Sequence, residues 1–169
     1  MRAADREQYT AYVTGALPRL HRIAYLLCGD AHRADDVVQT AITRLFTSWS
    51  RARSARNLDA YVRAIVVRSF LNERRMRWSS VQLLDEDPQV AAAPGPDIET
   101  REQVRSALVR VPPRQRAVLV LRFLEDLPIC EVARLMRCSE GTVKSQTSLG
   151  LATLRKVLEA GERHDQARA

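Results

Sequence analysis

"EDLPICEVARLMRCSEGTVKSQTSLGLATLRKVLEAG", residues 125–161, is the stretch whose reading decides the fold. Ile129, Val132, Ala133 and Met136 recur at the spacing of one helix face, so a short helix is expected from about Pro128 to Met136. "RCS" reads as a turn. Ser139, ahead of Glu140 and Gly141-Thr142-Val143, has the chemistry of an N-cap, because its hydroxyl can accept from a backbone N–H left unpaired at a helix start. In the next helix Val143, Thr147, Leu151, Leu154 and Leu158 fall within about 80° of one another and form the inward face. Two helices joined by so tight a turn make a helix-turn-helix, whose second helix enters the major groove of DNA. Its opposite face holds Ser145, Ser148, Leu149, Ala152 and Lys156, with Lys144 on the flank. Small polar side chains reach base edges or phosphates, and Leu149 suits a thymine methyl. Spacing alone fits an ordinary helical hairpin with a solvated face equally well. "GTVKS" lacks the glycine-to-lysine spacing of a phosphate loop.

Upstream, a helix over about 98–110 is stopped by Val111-Pro112-Pro113, and another starts at Pro113, a good first-turn residue, and runs to about Leu124. Arg114, Arg116 and Arg122 on it are available for phosphates. Further upstream, residues 81–100 hold five acids and no base. With Pro88, Pro94, Gly95 and Pro96 that segment reads as a flexible, extended acidic linker. It separates two basic parts, net +7 over residues 1–80 and net +5 over 101–169. The expected division is 1–79 and 98–160 as small domains, 80–97 as linker and 161–169 as tail.

The first part reads as three helices. Val13, Leu17, Leu20, Ala24 and Leu27 make one apolar stripe. "CGDAH" breaks it, with Gly29 suited to a C-cap and Asp30 to a start. The second helix should bury Val37, Val38, Ala41, Ile42 and Leu45. A polar, Arg-rich stretch, 51–57, then leads to a third helix from Leu58 to Arg77, with Leu58, Tyr61, Val62, Ile65, Ser69 and Met76 inward. Arg63, Val67, Phe70, Leu71 and Arg74 would face away from the core. The fold class is therefore all-α, in two small helical domains.

Composition narrows the function. With 46% apolar residues and only 6 Gly the chain can build helical cores, and a net charge of +7 favours a polyanionic partner. No apolar run is long enough to span a membrane, and "MRAADREQYT" is no secretory signal, so a soluble cytoplasmic protein is expected. The three cysteines, Cys28, Cys130 and Cys138, make no ligand cluster, so neither metal nor cofactor is expected. Trp49 and Trp78 are read as domain-edge packing rather than stacking platforms.

These residues resemble the extracytoplasmic-function (ECF) sigma factors, the small two-domain class of bacterial sigma factors. "LHRIAYLLCGDAHRADDVVQTAITRLF", "YVRAIVVRSFLNERRMR" and "LVRVPPRQRAVLVLRFLEDLPICEVARLMRCSEGTVKSQTSLGLATLR" carry the likeness, over roughly residues 14–159. Arg68, Asn72, Gln146, Ser148 and Leu149 depart from the commonest pattern and look like an actinobacterial subgroup. The resemblance implies a protein that binds core RNA polymerase and directs it to particular promoters. Its first domain would dock on the β′ clamp helices and open and read the −10 element. Its second would sit on the β flap and read the −35 element, and many members are held by an anti-sigma factor.

Carried onto this chain, the resemblance puts polymerase docking on "DDVVQ". Asp36, Gln39 and Thr43 lie within about 60° of one another opposite the apolar stripe. Asp35 stands on the flank, either docking or favouring its own helix dipole. The −10 and opening surface would comprise Arg51, Arg53, Ser54, Arg56, Asn57, Leu58, Arg63, Arg68, Phe70, Arg74 and Arg75. An exposed Phe70 among arginines suits strand separation, or packing on another domain or an anti-sigma factor. The −35 surface would comprise Arg114, Arg122, Ser139, Thr142, Lys144, Ser145, Ser148 and Leu149.

Two other readings compete. A polymerase-independent helix-turn-helix regulator would need a dimer interface or ligand pocket, and the first domain carries no signature of either. A DNA-acting enzyme would need Asp35 and Asp36 as metal ligands. Adjacent residues on a helix point about 100° apart, no third ligand has compatible spacing, and there is no activated nucleophile, so no enzyme is expected.

Overall fold

The computed structural model describes residues 2–80 and 96–166. The expected linker lies almost wholly outside them. Among the described residues every regular element is helical, as the all-α reading requires. The chain divides into two compact units, Met1–Val81 and Gln82–Ala169.

In the first unit α1 (Ala3–Cys28) and α2 (Ala31–Thr47) meet at Gly29 and Asp30. Gly29 adopts φ 72°, a left-handed conformation that costs glycine little, and its N–H closes α1 on the Tyr25 carbonyl at 2.7 Å. Asp30 Oδ1 accepts from the Arg33 N–H at 2.8 Å and starts α2. A five-residue helix α3 (Trp49–Arg53) follows, then a turn, then α4 (Leu58–Ser80). Helices α1, α2 and α4 pack on one another. Their core includes Leu20, Ile23, Leu27, Val38, Leu45, Val62, Val66, Val67 and Phe70, each 1% exposed or less. Burial of this aliphatic and aromatic surface is the main stabilising contribution.

Three expectations for this unit need correction. Ile42, expected inward on α2, is only half-buried. The first unit has a fourth, short helix beyond the three expected, since Arg51–Arg53 of the polar stretch 51–57 belong to α3. Helix α4 is also rotated: Phe70 and Val67 are fully buried, whereas Tyr61 and Ile65 are only half-buried. "AIVVRSF" offers two overlapping stripes at helical spacing. The one through Val62, Val66 and Phe70 buries more apolar area, and α4 touches both α1 and α2, so its core face is broad. Met76 belongs to the expected stripe, and its side chain lies outside the described ones.

In the second unit α5 (Pro96–Val109) and α6 (Pro113–Leu119) precede a π-helical turn over Val120–Leu124. Then come α7 (Ile129–Met136) and the long α8 (Glu140–Gln166). Leu108, Val111 and Leu119 form a buried cluster against which Val104 and Leu154 pack. Helix α8 lies across α5, α6 and α7. Its backbone comes close to α6 at the buried Gly150, where an added Cβ would stand 3.1 Å from the Leu119 side chain. Leu151, expected inward, is 38% exposed, because the backbone at Gly150 rather than a leucine fills the contact with α6.

Candidate nucleic-acid and protein interfaces

Helix α2 has two chemically distinct faces. Ala34, Val37, Val38, Ala41 and Leu45 are buried, while Asp35, Asp36, Gln39 and Thr43 are exposed together. The Thr43 hydroxyl donates to the Gln39 carbonyl at 2.8 Å, which leaves its oxygen as an acceptor at the surface. The two acids differ. Asp35 Oδ1 lies 3.1 Å from His21 Nδ1 of α1, whereas Asp36 has no side-chain partner among the described residues. Asp36 is thus the carboxylate left open to meet a cation from another molecule.

The segment joining α3 to α4 is short and well tied. Asn57 Oδ1 accepts from the Ala60 N–H at 2.9 Å, and so caps α4. Ser54 Oγ donates to the Ser50 carbonyl at 3.0 Å. Arg51, Arg56 and Arg75 are exposed, and Leu58 is half-buried. Arg53 is exposed too, but it pairs with Asp5 near the start of α1. Arg63, Arg68 and Arg74 are half-buried and each makes an interaction within the protein. Phe70, at 0% exposure, cannot meet bases or another protein in this fold. Trp49 is buried, edge-on to Tyr9 with ring centroids 5.4 Å apart, as a packing residue should be. The Trp78 side chain lies outside the described ones.

The helix-turn-helix is formed by α7, a turn through Arg137 and Cys138, and α8. Arg137 takes the left-handed conformation (φ 52°) that ends α7, and the Cys138 N–H reaches the Ala133 carbonyl at 3.0 Å. Ser139 Oγ accepts from the Thr142 N–H at 3.0 Å and lies 2.9 Å from the Thr142 hydroxyl, so the expected cap forms. Val143 is fully buried, which holds the first turn of α8 against the unit. Lys144, Ser145, Ser148 and Leu149 stand outward on one side, Leu149 at 53% exposure, and Thr142 is half-buried.

The preceding arginines separate. Arg114 is exposed at the start of α6, whereas Arg116 is 1% exposed. Arg116 donates to the carbonyls of Val109 and Val111, so it is a structural clasp and unavailable to phosphates. Arg122 donates from one terminal nitrogen to the Leu127 carbonyl at 2.6 Å and leans over the Phe123 ring. Sequence reasoning also missed Phe123 and Leu124, which are 54% and 44% exposed. In an α-helix Leu124 would stack below the buried Val120. The π-helical turn lengthens the repeat and swings it outward.

Residues 13–80 match the family Sigma-70 region 2, and residues 101–154 match Sigma-70, region 4. The RNA polymerase sigma-E factor of Streptomyces coelicolor is 33% identical over 159 residues, which cover 90% of this chain and 87% of that protein. The chain belongs to the ECF family of RNA polymerase sigma factors. Another similar protein is the ECF RNA polymerase sigma factor SigM of Mycobacterium tuberculosis, 29% identical over 92% of this chain and 80% of that one. The same fold occurs in the sigma factor RpoE from Bartonella quintana, solved in complex with the anti-sigma factor NepR. Its TM-score is 0.74 at 23% identity, covering 90% of this chain and 98% of that one.

As a sigma factor the chain binds core RNA polymerase and directs initiation at particular promoters. This family membership favours it over a polymerase-independent regulator. Sigma factors are generally not enzymes, and they work by binding. Among the described residues no helix is long and apolar enough to cross a membrane.

Proposed function

We propose a division of labour among three surfaces of this sigma factor. The exposed face of α2, with Asp36 at its centre and Gln39 and Thr43 beside it, docks on a basic helix of core polymerase, the β′ clamp helices in the family's terms. The carboxylate and amide suit bidentate pairing with Arg. Asp35, 3.1 Å from His21 Nδ1, contributes from the flank.

The segment from Arg51 to Leu58 reads and helps open the −10 element, with Arg51, Arg56 and Arg75 on phosphates and Ser54 and Asn57 toward a displaced base. Phe70 has no part in this. The outward side of α8, with Lys144, Ser145, Ser148 and Leu149, reads the −35 element, with Arg114 on the backbone. Phe123 and Leu124 give the second unit an apolar contact for the β flap. The site of action is the cytoplasm, where polymerase works, and an anti-sigma factor is the regulator the resemblance brings with it.

The observation that carries this reading is the open carboxylate of Asp36 on an exposed helix face of a strongly basic chain. In vitro transcription with core polymerase on a genomic promoter library tests it. Initiation from a set of promoters sharing −10 and −35 elements is expected. Transcription no different from core enzyme alone would overturn it.

A further inference from the structure

One face of α1 grips both ends of the turn between α3 and α4. Asp5, Tyr9, Tyr12 and Arg19 recur at helical spacing and fall within about 80° of one another. At the near end of the turn, Asp5 pairs with Arg53, the last residue of α3. At the far end, Asp59 in the first turn of α4 accepts from the Tyr12 hydroxyl at 2.7 Å. It also accepts from both terminal nitrogens of Arg19, at 3.0 and 2.6 Å. Between these, Tyr9 donates to the Ile42 carbonyl at 2.8 Å and packs edge-on against Trp49 and Phe46. Asp5, Tyr9 and Tyr12 all precede residue 13, where the region 2 match begins.

Four residues, 54–57, therefore span a gap whose two ends are fastened to the same helix. Pinning both ends removes conformations the turn would otherwise sample, so the ordering cost is met on folding and not on meeting DNA. A base taken out of its stack is discriminated by a pocket of fixed shape. A turn of variable shape would accept several bases nearly alike.

We propose that Asp5, Tyr9 and Tyr12 are positioning residues for promoter reading, which hold the turn 54–57 in the geometry that discriminates the −10 base. The inference rests on the reading that this turn contacts the −10 element. It also moves Arg53 from the phosphate-binding set to the anchoring set, because its guanidinium is engaged by Asp5.

The test uses the full chain bound to core polymerase, on promoters recovered from the genomic library. Open-complex formation is compared between each promoter and a copy with one −10 base changed, and again with one −35 base changed. The double variant Asp5→Asn/Tyr12→Phe should lower −10 discrimination by about tenfold, the loss expected when hydrogen bonds stop favouring one geometry. Its −35 discrimination and core affinity should stay as in the wild type. Asn57→Ser, which keeps the capping oxygen and removes the amide, should lower −10 discrimination on its own. If Asn57→Ser does so and the double variant does not, the positioning role is wrong. If neither does, the assignment of the turn to the −10 element falls as well. A parallel fall in −10 discrimination, −35 discrimination and core affinity would mean general destabilisation and would also overturn the proposal.

Discussion

The guanidinium of Arg116 folds back onto the carbonyl of Val111, with Nε at 3.2 Å and a terminal nitrogen at 2.9 Å. A cation thus sits inside the second unit and satisfies carbonyls left over where α5 ends at the Pro112-Pro113 break. Truncating it removes packing and strands those acceptors. Arg116→Ala should cost about 3 kcal/mol, read as a lower thermal midpoint. A cost below about 0.5 kcal/mol would return Arg116 to the surface role that its sequence position suggested.

Ser139 has two duties that substitutions can separate. Ser139→Ala removes the acceptor for the Thr142 N–H and should cost about 1 kcal/mol. Ser139→Asp restores the cap, so the midpoint should recover. Its carboxylate would meet phosphates beside the groove, so binding to −35 duplex should weaken further rather than recover. Melting curves and salt-dependent DNA binding, measured together, check both halves.

Two glycines give opposite expectations. Gly15 lies within α1 with nothing inside 4 Å of an added Cβ, so Gly15→Ala should stabilise by about 1 kcal/mol through helix propensity alone. At Gly150 the added Cβ would stand 3.1 Å from Leu119 and 3.3 Å from the Gln115 Cβ. Leu119 is only 3% exposed and has little room to yield. Overpacking should outweigh the propensity gain, for a net loss of about 1 kcal/mol. Thermal melts of the two variants, shifted in opposite directions, are the expected result.

The elements differ in how plainly their residues announce them. Gly29, Asp30 and Ser139 are legible because a cap is a local event between residues three or four apart. The exposed face of α2 is legible because its apolar residues form a single stripe, so the remainder, Asp36 included, must face outward. Helix α4 resisted because Val66, Val67 and Phe70 overlap a second plausible stripe, and only the neighbouring helices choose between them. Arg116 resisted because a buried arginine is legible only once its carbonyl partners are placed. Asp5 and Arg53 are 48 residues apart, and nothing local announces their pairing. Phe123 and Leu124 escaped because a π-helical turn breaks the 3.6-residue repeat on which face assignments rest.

The grip on Asp59 gives a pH signature. The hydrogen bond from Arg19 is the largest influence on this carboxyl, and it holds the pKa at about 2, although partial burial works the other way. Burial, and then its bond to Asp59, push the Tyr12 hydroxyl well above its ordinary range. An unfolded Asp titrates at roughly 3.9, so the contribution is complete above that value and is lost as pH falls through about 2. The Asp59 side chain is 47% exposed, so solvent screening limits the effect to no more than about 1 kcal/mol. Wild type should melt above Asp59→Asn at pH 7, and the gap should narrow below about pH 4 and close below about pH 2. A gap at pH 2 as large as that at pH 7 would contradict the ion pair.

The most direct measurement is the affinity of Asp36→Arg for core RNA polymerase, taken with its melting curve. Asp36 is exposed and has no side-chain partner among the described residues, so the fold should be untouched. Reversing the charge where a basic helix must dock should weaken core binding at least about tenfold, while −35 duplex binding by the second unit stays intact. Unchanged core affinity in a correctly folded Asp36→Arg protein would contradict the assignment of α2 as the polymerase-docking face.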